Sequence, residues 1–183
     1  MTSTLPDTPP TSNPQKPIKL RIVQADFLQF TQSQETDARG FFLPENLSWE
    51  SSLGLRILAH YGPKLDVHLL SHFIQPKRGD SFLLPTHIAS SPRLVVGVLP
   101  KWDGGMDDEE RALKKCVTGM IESCDRAGFR NLALPALGIG GRDYPPRKAA
   151  RLMMSCIDSY PYRSLQEIII VCKTAQIFDC FSN

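Results

Sequence analysis

The chain has 183 residues, 42% of them hydrophobic, with 21 Lys and Arg against 19 Asp and Glu for a formal net charge of +2. That length fits one domain with a sizeable core. So small a charge supplies no global field toward nucleic acid or an anionic membrane, neither of which is an expected partner, and any anion site must be local. The five cysteines, odd in number and without CxxC spacing, read as reduced, packed thiols of a cytoplasmic compartment. No stretch approaches the ~18 apolar residues of a membrane span, and no basic segment followed by an apolar one opens the chain.

Residues 1–17 are rich in Pro, Thr and Ser and hold almost no large apolar groups, so they cannot offset the entropy of being ordered. They are expected to form a flexible tail, with the folded domain at 18–183. Ile18, Leu20 and Ile22 alternate with Lys19 and Arg21 as on a half-buried strand, and Asp26 follows its end. Phe41, Phe42 and Leu43 predict a second short strand, closed by Pro44, Glu45 and Asn46. Leu53, Ile57 and Tyr61 then recur at helical spacing up to Gly62 and Pro63.

Leu65, Leu69 and Phe73 predict a further helix over 64–75, and Pro76 to Asp80 a turn. Residues 81–84 make a brief strand, and 94–99 an aliphatic run suited to burial on both faces. Asp107 or Asp108 is the expected cap of a long helix, whose stripe runs Leu113, Cys116, Val117, Met120, Ile121 and Cys124 before the stop at Gly128. A strand from Asn131 leads through Gly138, Ile139, Gly140, Gly141, Arg142 and Asp143 to a helix opening near Pro146, where proline's missing N–H has no helical partner. Residues 168–172 form the last strong strand, and 177–181 a short helix or turn. Strands alternating with helices imply a three-layer α/β/α fold on a central mixed, mostly parallel sheet, with ligands gathering beyond the strands' carboxyl ends.

The glycine turn has two local readings. Small residues between strand and helix can turn successive N–H groups onto a phosphate, or can simply make a tight connection. Arg142 can pair with phosphate, stack on a ribose or base, or stay solvated. Asp26 can accept from an exocyclic amine such as adenine's, or cap a turn, and Asn46 can orient a ribose or a water, or belong to a loop. His68 and His72 share a helix face, but no Glu follows His68 and no third ligand is evident, so no metal and no cofactor is expected. No GxSxG elbow supports a serine nucleophile.

Leu134 to Gly140 followed by Tyr144 to Ala150 resembles the second ligand loop and following helix of macrodomains, the ADP-ribose-binding modules. Residues 20–27 (LRIVQADF), 55–63 (LRILAHYGP), 78–86 and 95–102 (VVGVLPKW) agree with that family in order, so the resemblance spans roughly 18–181. It implies that residues 138–143 wrap the diphosphate and distal ribose with backbone amides, that Asp26 meets the adenine, and that Ser52 lies at the ligand. The expected function is binding of ADP-ribose or an ADP-ribosylated protein by a monomer. The alternatives are an ADP-ribosyl hydrolase and a scaffold that binds a protein without nucleotide. Hydrolytic members carry an Asn-rich strand end and a glycine run in the first loop, where this chain has Leu43 to Ser52 without glycine. Asn46 is therefore the candidate catalytic residue, turnover is expected to be weak or absent, and Glu45 and Glu50 bring negative charge toward the diphosphate. Arg142 stands where an aromatic residue often stacks on ribose, and Asp143 where glycine is usual.

Overall fold

Alternating and aliphatic runs set the strands of the computed structural model, which describes residues 17–72, 75–136, 138–139 and 141–182. The expected tail, Phe73 of the second helix and Gly140 of the turn thus lie almost wholly outside the described residues. The elements in order are β1 (Lys19–Gln24), α1 (Phe27–Ser33), β2 (Ala38–Leu43), α2 (Ser52–Tyr61), α3 (Pro63–His72), β3 (Ser81–Leu83), β4 (Arg93–Val98), α4 (Glu109–Arg126), β5 (Asn131–Pro135), α5 (Pro146–Ser159), β6 (Glu167–Cys172) and α6 (Ala175–Ser182). They build one six-stranded sheet in the order β1-β6-β5-β2-β4-β3. Every pairing is parallel except β3 with β4, so the sheet is mixed and mostly parallel.

Period-two alternation sends the strand residues to two separate cores. On one face Val95, Leu132, Leu134, Ile168 and Ile170 pack against the α4 stripe and against Ala149, Met153 and Ile157 of α5. On the other, Phe41, Leu43, Leu94, Val96 and Val98 meet Ile57, Leu65 and Leu69 of α2 and α3. Phe27 of α1 closes the same side over Ala133, Ile169 and Val171. Each large aliphatic side chain so buried contributes about 1.5–3 kcal/mol. Helices therefore cover both faces of the sheet.

Two elements depart from the sequence reading. Helix α1 was not expected, and β2 starts at Ala38 rather than at Phe41, because Arg39 is a fully buried strand residue. The guanidinium donates to the Tyr61 hydroxyl from Nε at 2.9 Å and to Thr31 Oγ1 from Nη1 at 2.9 Å, and stands over the Tyr61 ring.

The cap expected for α4 is also different. Asp108 occupies the position with φ 58° but makes no side-chain capping bond. Glu109, which is 1% exposed, organises the preceding loop instead. Its carboxylate accepts from the N–H groups of Asp103 at 2.7 Å, Asp107 at 2.8 Å and Gly105 at 3.2 Å.

β2 and β5 pair only at Ala38↔Leu132 and Arg39↔Ala133. Beyond that the two strands fork. The chain leaves β5 through α5 toward β6 on one side and leaves β2 through α2 toward β4 on the other, so the fork is the point where strand order reverses, and a crevice forms there at the carboxyl ends.

Candidate functional site

The crevice holds two adjoining cavities of ≈ 90 and ≈ 190 Å³. Leu53, Pro135, Ala136 and Ile139 line both and form the wall between them. Together they fall just under the ~300 Å³ at which small-molecule pockets begin. The smaller is enclosed by Phe42, Leu43 and Pro44 from the end of β2, by Ser48 and Ser51 from the loop before α2, and by Gly141 and Arg142 from the loop after β5. The larger is enclosed by Ala25, Asp26 and Phe27 after β1, by Ser52 and Arg56 of α2, and by Val171, Lys173 and Ile177 at the far side.

The glycine turn is built from its floor upward. Gly138 has φ +79°, and a Cβ there would lie 2.9 Å from Cγ of Tyr144. Tyr144 cannot easily yield, since its N–H bonds to the Gly138 carbonyl at 2.9 Å and its hydroxyl donates to the Glu109 carbonyl at 2.9 Å. Burial pushes its phenol above the usual tyrosine range, so the hydroxyl stays a donor. At the outer end the Trp102 N–H donates to the carbonyl of Arg142 at 2.8 Å. Asp143 takes φ 58° and pairs with Lys101 at 3.1 Å. The turn is thus held from three sides.

Facing it, the first loop is built from two interlocked turns. The Leu47 N–H bonds to the Pro44 carbonyl at 2.9 Å, and Leu47 buries its side chain at φ 56°. Asn46 Oδ1 accepts the Ser48 N–H at 3.1 Å. Trp49 stacks on Phe41 with centroids 5.6 Å apart and donates from Nε1 to Asp66 at 2.7 Å, away from the crevice. Ser51 caps α2, its Oγ accepting the Gly54 N–H at 2.9 Å. A Cβ on Gly141 would lie 3.5 Å from the Ser51 Cβ, so the rims nearly touch. Above them Arg142, with its side chain 13% exposed, reaches Glu50 at 3.8 Å.

At the other end Asp26 caps α1, accepting the Gln29 N–H at 3.0 Å. Both of its oxygens also accept from Arg56, at 2.6 and 2.8 Å. The Arg56 bonds, opposed in part by desolvation, bring its carboxyl down to about 2. The capping role of Asp26 and its place in the cavity wall therefore coexist.

Of the residues singled out in the sequence, the crevice brings together Asp26, Ser52, Ile139, Gly141 and Arg142. Gly138 supports the turn from beneath, Asp143 stands outside the lining, and Gly140 is not among the described residues. Asn46 lines an outer groove with Glu45, Glu50, Arg78 and Lys101, which meets the crevice at Pro44 and Arg142. Sequence reasoning missed Arg56, Ser48, Leu53 and Lys173. Ser48 carries a side-chain oxygen sealed from solvent and, among the described residues, without a hydrogen-bond partner. No group of three His, Cys, Asp or Glu among the described residues could hold a metal, and no helix there is long and apolar enough to cross a membrane. Burial lifts the thiols of Cys116 and Cys124 to about 12, which keeps both protonated and inert.

Fold and crevice first define a class, a three-layer α/β/α domain with a crevice at the reversal of strand order. The Macro domain family model matches residues 44–153, well over half of the chain, and the chain belongs to that family. Among curated proteins it is 23% identical over 107 residues to an O-acetyl-ADP-ribose deacetylase 1 of Pantoea vagans, covering 57% of this chain and 63% of that protein. The match spans less than two thirds of that relative's length. Among solved structures it superposes on the Oceanobacillus iheyensis macrodomain with ADP at TM-score 0.79 and 16% identity, covering 93% of this chain and 91% of that one. It superposes on the Trypanosoma brucei macrodomain in complex with ADP-ribose at TM-score 0.72 and 14% identity, covering 88% and 67%. At those identities the likeness is one of fold.

Proposed function

We propose that the chain is a binding module for ADP-ribose, or for the ADP-ribosyl group of a modified protein. One observation carries the reading: a single crevice runs from Asp26 to Gly141 and Arg142 across a shared apolar wall. The base belongs in the larger, mostly apolar cavity, where Asp26 keeps an acceptor beside it. The diphosphate belongs between the 138–143 turn and the first turn of α2, where the N–H groups of Ser52 and Leu53 precede the first intrahelical bond and carry positive potential, that of Gly54 being taken by the Ser51 cap. Arg142 adds a cation there, and its pairing with Glu50 offsets the negative charge which that carboxylate brings to the rim. The distal ribose belongs in the smaller cavity, beside Ser48.

The deacetylase names of the curated relatives favour a hydrolase as the second reading. Against appreciable turnover stands Asn46, which spends its side-chain oxygen on the loop and lines the outer groove rather than the crevice. Titration calorimetry with ADP-ribose tests the binding reading, and no heat at millimolar ligand with folded protein overturns it. If turnover is found, Asn46→Ala is expected to leave its rate unchanged. Loss of turnover in that variant would restore Asn46 to the chemistry.

A further inference from the structure

Three spaces stand in line along the crevice. The larger cavity shares the wall of Leu53, Pro135, Ala136 and Ile139 with the smaller one, and the smaller one shares Pro44 and Arg142 with the outer groove, which measures ≈ 380 Å³. Among the described residues the larger cavity and the groove have no lining residue in common, so the smaller cavity lies between them. A ligand with its base beside Asp26 therefore points its far end at the groove. In ADP-ribose that end is the distal ribose, the unit through which the nucleotide is joined to a side chain of a modified protein.

The groove is walled by Pro44 and Pro100, which bring no N–H, and by charges already engaged within the chain. Arg78 Nε donates to Glu45 Oε1 at 2.9 Å, and its Nη1 to the Asp107 carboxylate at 2.5 Å. Lys101 pairs with Asp143 at 3.1 Å, and Arg142 with Glu50 at 3.8 Å. All three cations thus have a carboxylate of the chain itself. The four carboxylates meet them through one oxygen each and, among the described residues, leave the other free to accept. Glu50, with its side chain 66% exposed, is the most loosely held of the lining acids.

We propose that the outer groove seats the polypeptide that carries the ADP-ribosyl group, and that it selects a basic residue beside the modified one. The inference rests on the ADP-ribose reading above and narrows its ligand to the modified protein rather than the free nucleotide. The modified side chain leaves the smaller cavity past Pro44 and Arg142, and the neighbouring residues lie along the groove. A lysine or arginine there meets the free oxygens of Glu45 and Glu50. A glutamate meets the same two carboxylates and finds Arg78, Lys101 and Arg142 already paired. Free ADP-ribose ends in a hydroxyl and leaves the groove to solvent.

The test is calorimetry on the full chain with free ADP-ribose and two synthetic peptides, each ADP-ribosylated on one serine and differing only in lysine or glutamate on both sides of it. One exposed charge pair at close range corresponds to roughly 5-fold in affinity. The lysine peptide is expected to bind at least ~5-fold tighter than either the glutamate peptide or free ADP-ribose, and the preference to shrink at about 0.5 M salt. Glu45→Gln keeps an acceptor for Arg78 and removes the charge, so it is expected to cut the preference to about 2-fold while free ADP-ribose changes by no more than ~2-fold. Equal binding of the two peptides, a preference for the glutamate peptide, or a lysine preference unchanged in Glu45→Gln overturns this inference. So does binding of free ADP-ribose with neither peptide bound, and all four results leave the binding reading standing. Failure of wild type to bind any of the probes overturns the binding reading itself.

Discussion

Replacing Gly138 by alanine tests how the turn is held. The residue sits at φ +79°, and the added Cβ would lie 2.9 Å from Cγ, 3.0 Å from Cδ2 and 3.3 Å from Cβ of Tyr144. A left-handed conformation costs a non-glycine residue about 1–2 kcal/mol, and overpacking a site that cannot relax costs about 1–3 kcal/mol more. Relaxation is restricted here, because Tyr144 is 2% exposed and its hydroxyl is fixed on the first turn of α4. The expected loss is about 2–5 kcal/mol, which for a chain of this size lowers the melting temperature by roughly 4–20 °C. Gly141→Ala is the control, since the φ of Gly141 is not positive and its Cβ would make only ordinary contact with Ser51 at 3.5 Å. Thermal melts of both variants decide the matter. A Gly138→Ala protein melting within ~2 °C of wild type, or no lower than Gly141→Ala, would refute the reasoning.

Asp125 is 3% exposed and accepts the N–H groups of Arg163, Ser164 and Leu165 at 2.8–3.2 Å. Asp125→Ala leaves three backbone donors without their acceptor, that of Leu165 buried, and is expected to cost about 2 kcal/mol by urea titration, while Asp125→Asn, which keeps one acceptor, costs less. Acid should unfold the protein through Glu109 and Asp26. Burial alone would raise the Glu109 carboxyl, but backbone N–H bonds outweigh it and hold it at about 2, below its ordinary 4.5, and the Arg56 bonds hold Asp26 at about 2 against 3.8. Both groups are depressed on folding, so their contribution is complete above pH 4.5 and is lost as pH falls toward 2. Urea midpoints should be flat from pH 7 to 5 and fall steeply below 4, and a midpoint flat down to pH 2.5 would contradict both assignments.

Strands β4 and β6 and helices α4 and α5 were legible because each shows one uninterrupted local signal, an aliphatic run or a stripe at helical spacing. Helix α1 has only two turns, and its buried Phe27, Leu28 and Thr31 stand among Gln and Ser, too short a window for a period to emerge. The start of β2 was hidden by Arg39, whose charge reads as exposure although Tyr61 of α2 and Thr31 of α1 supply its partners. In the crevice the same limit applies. Asp26 and the glycine turn follow strand ends and could be found locally, whereas Arg56 looks like any polar helix position until β1 and α2 are brought together. Asn46 invited a role in the crevice by its residue type, yet the turn at Leu47 and the Ser48 N–H direct its side chain to the rim.

The fork between β2 and β5 has a further consequence. Past Arg39 and Ala133 the two strands stop exchanging hydrogen bonds, so main-chain groups along the crevice must find partners outside the ladder. A ligand of the proposed kind lying there would be met in part by peptide groups, which every residue supplies apart from the N–H that proline lacks. Recognition carried by the backbone leaves little trace in residue identity. The chain can thus keep the architecture at TM-score 0.79 with 16% identity while the space between the diverging strands persists.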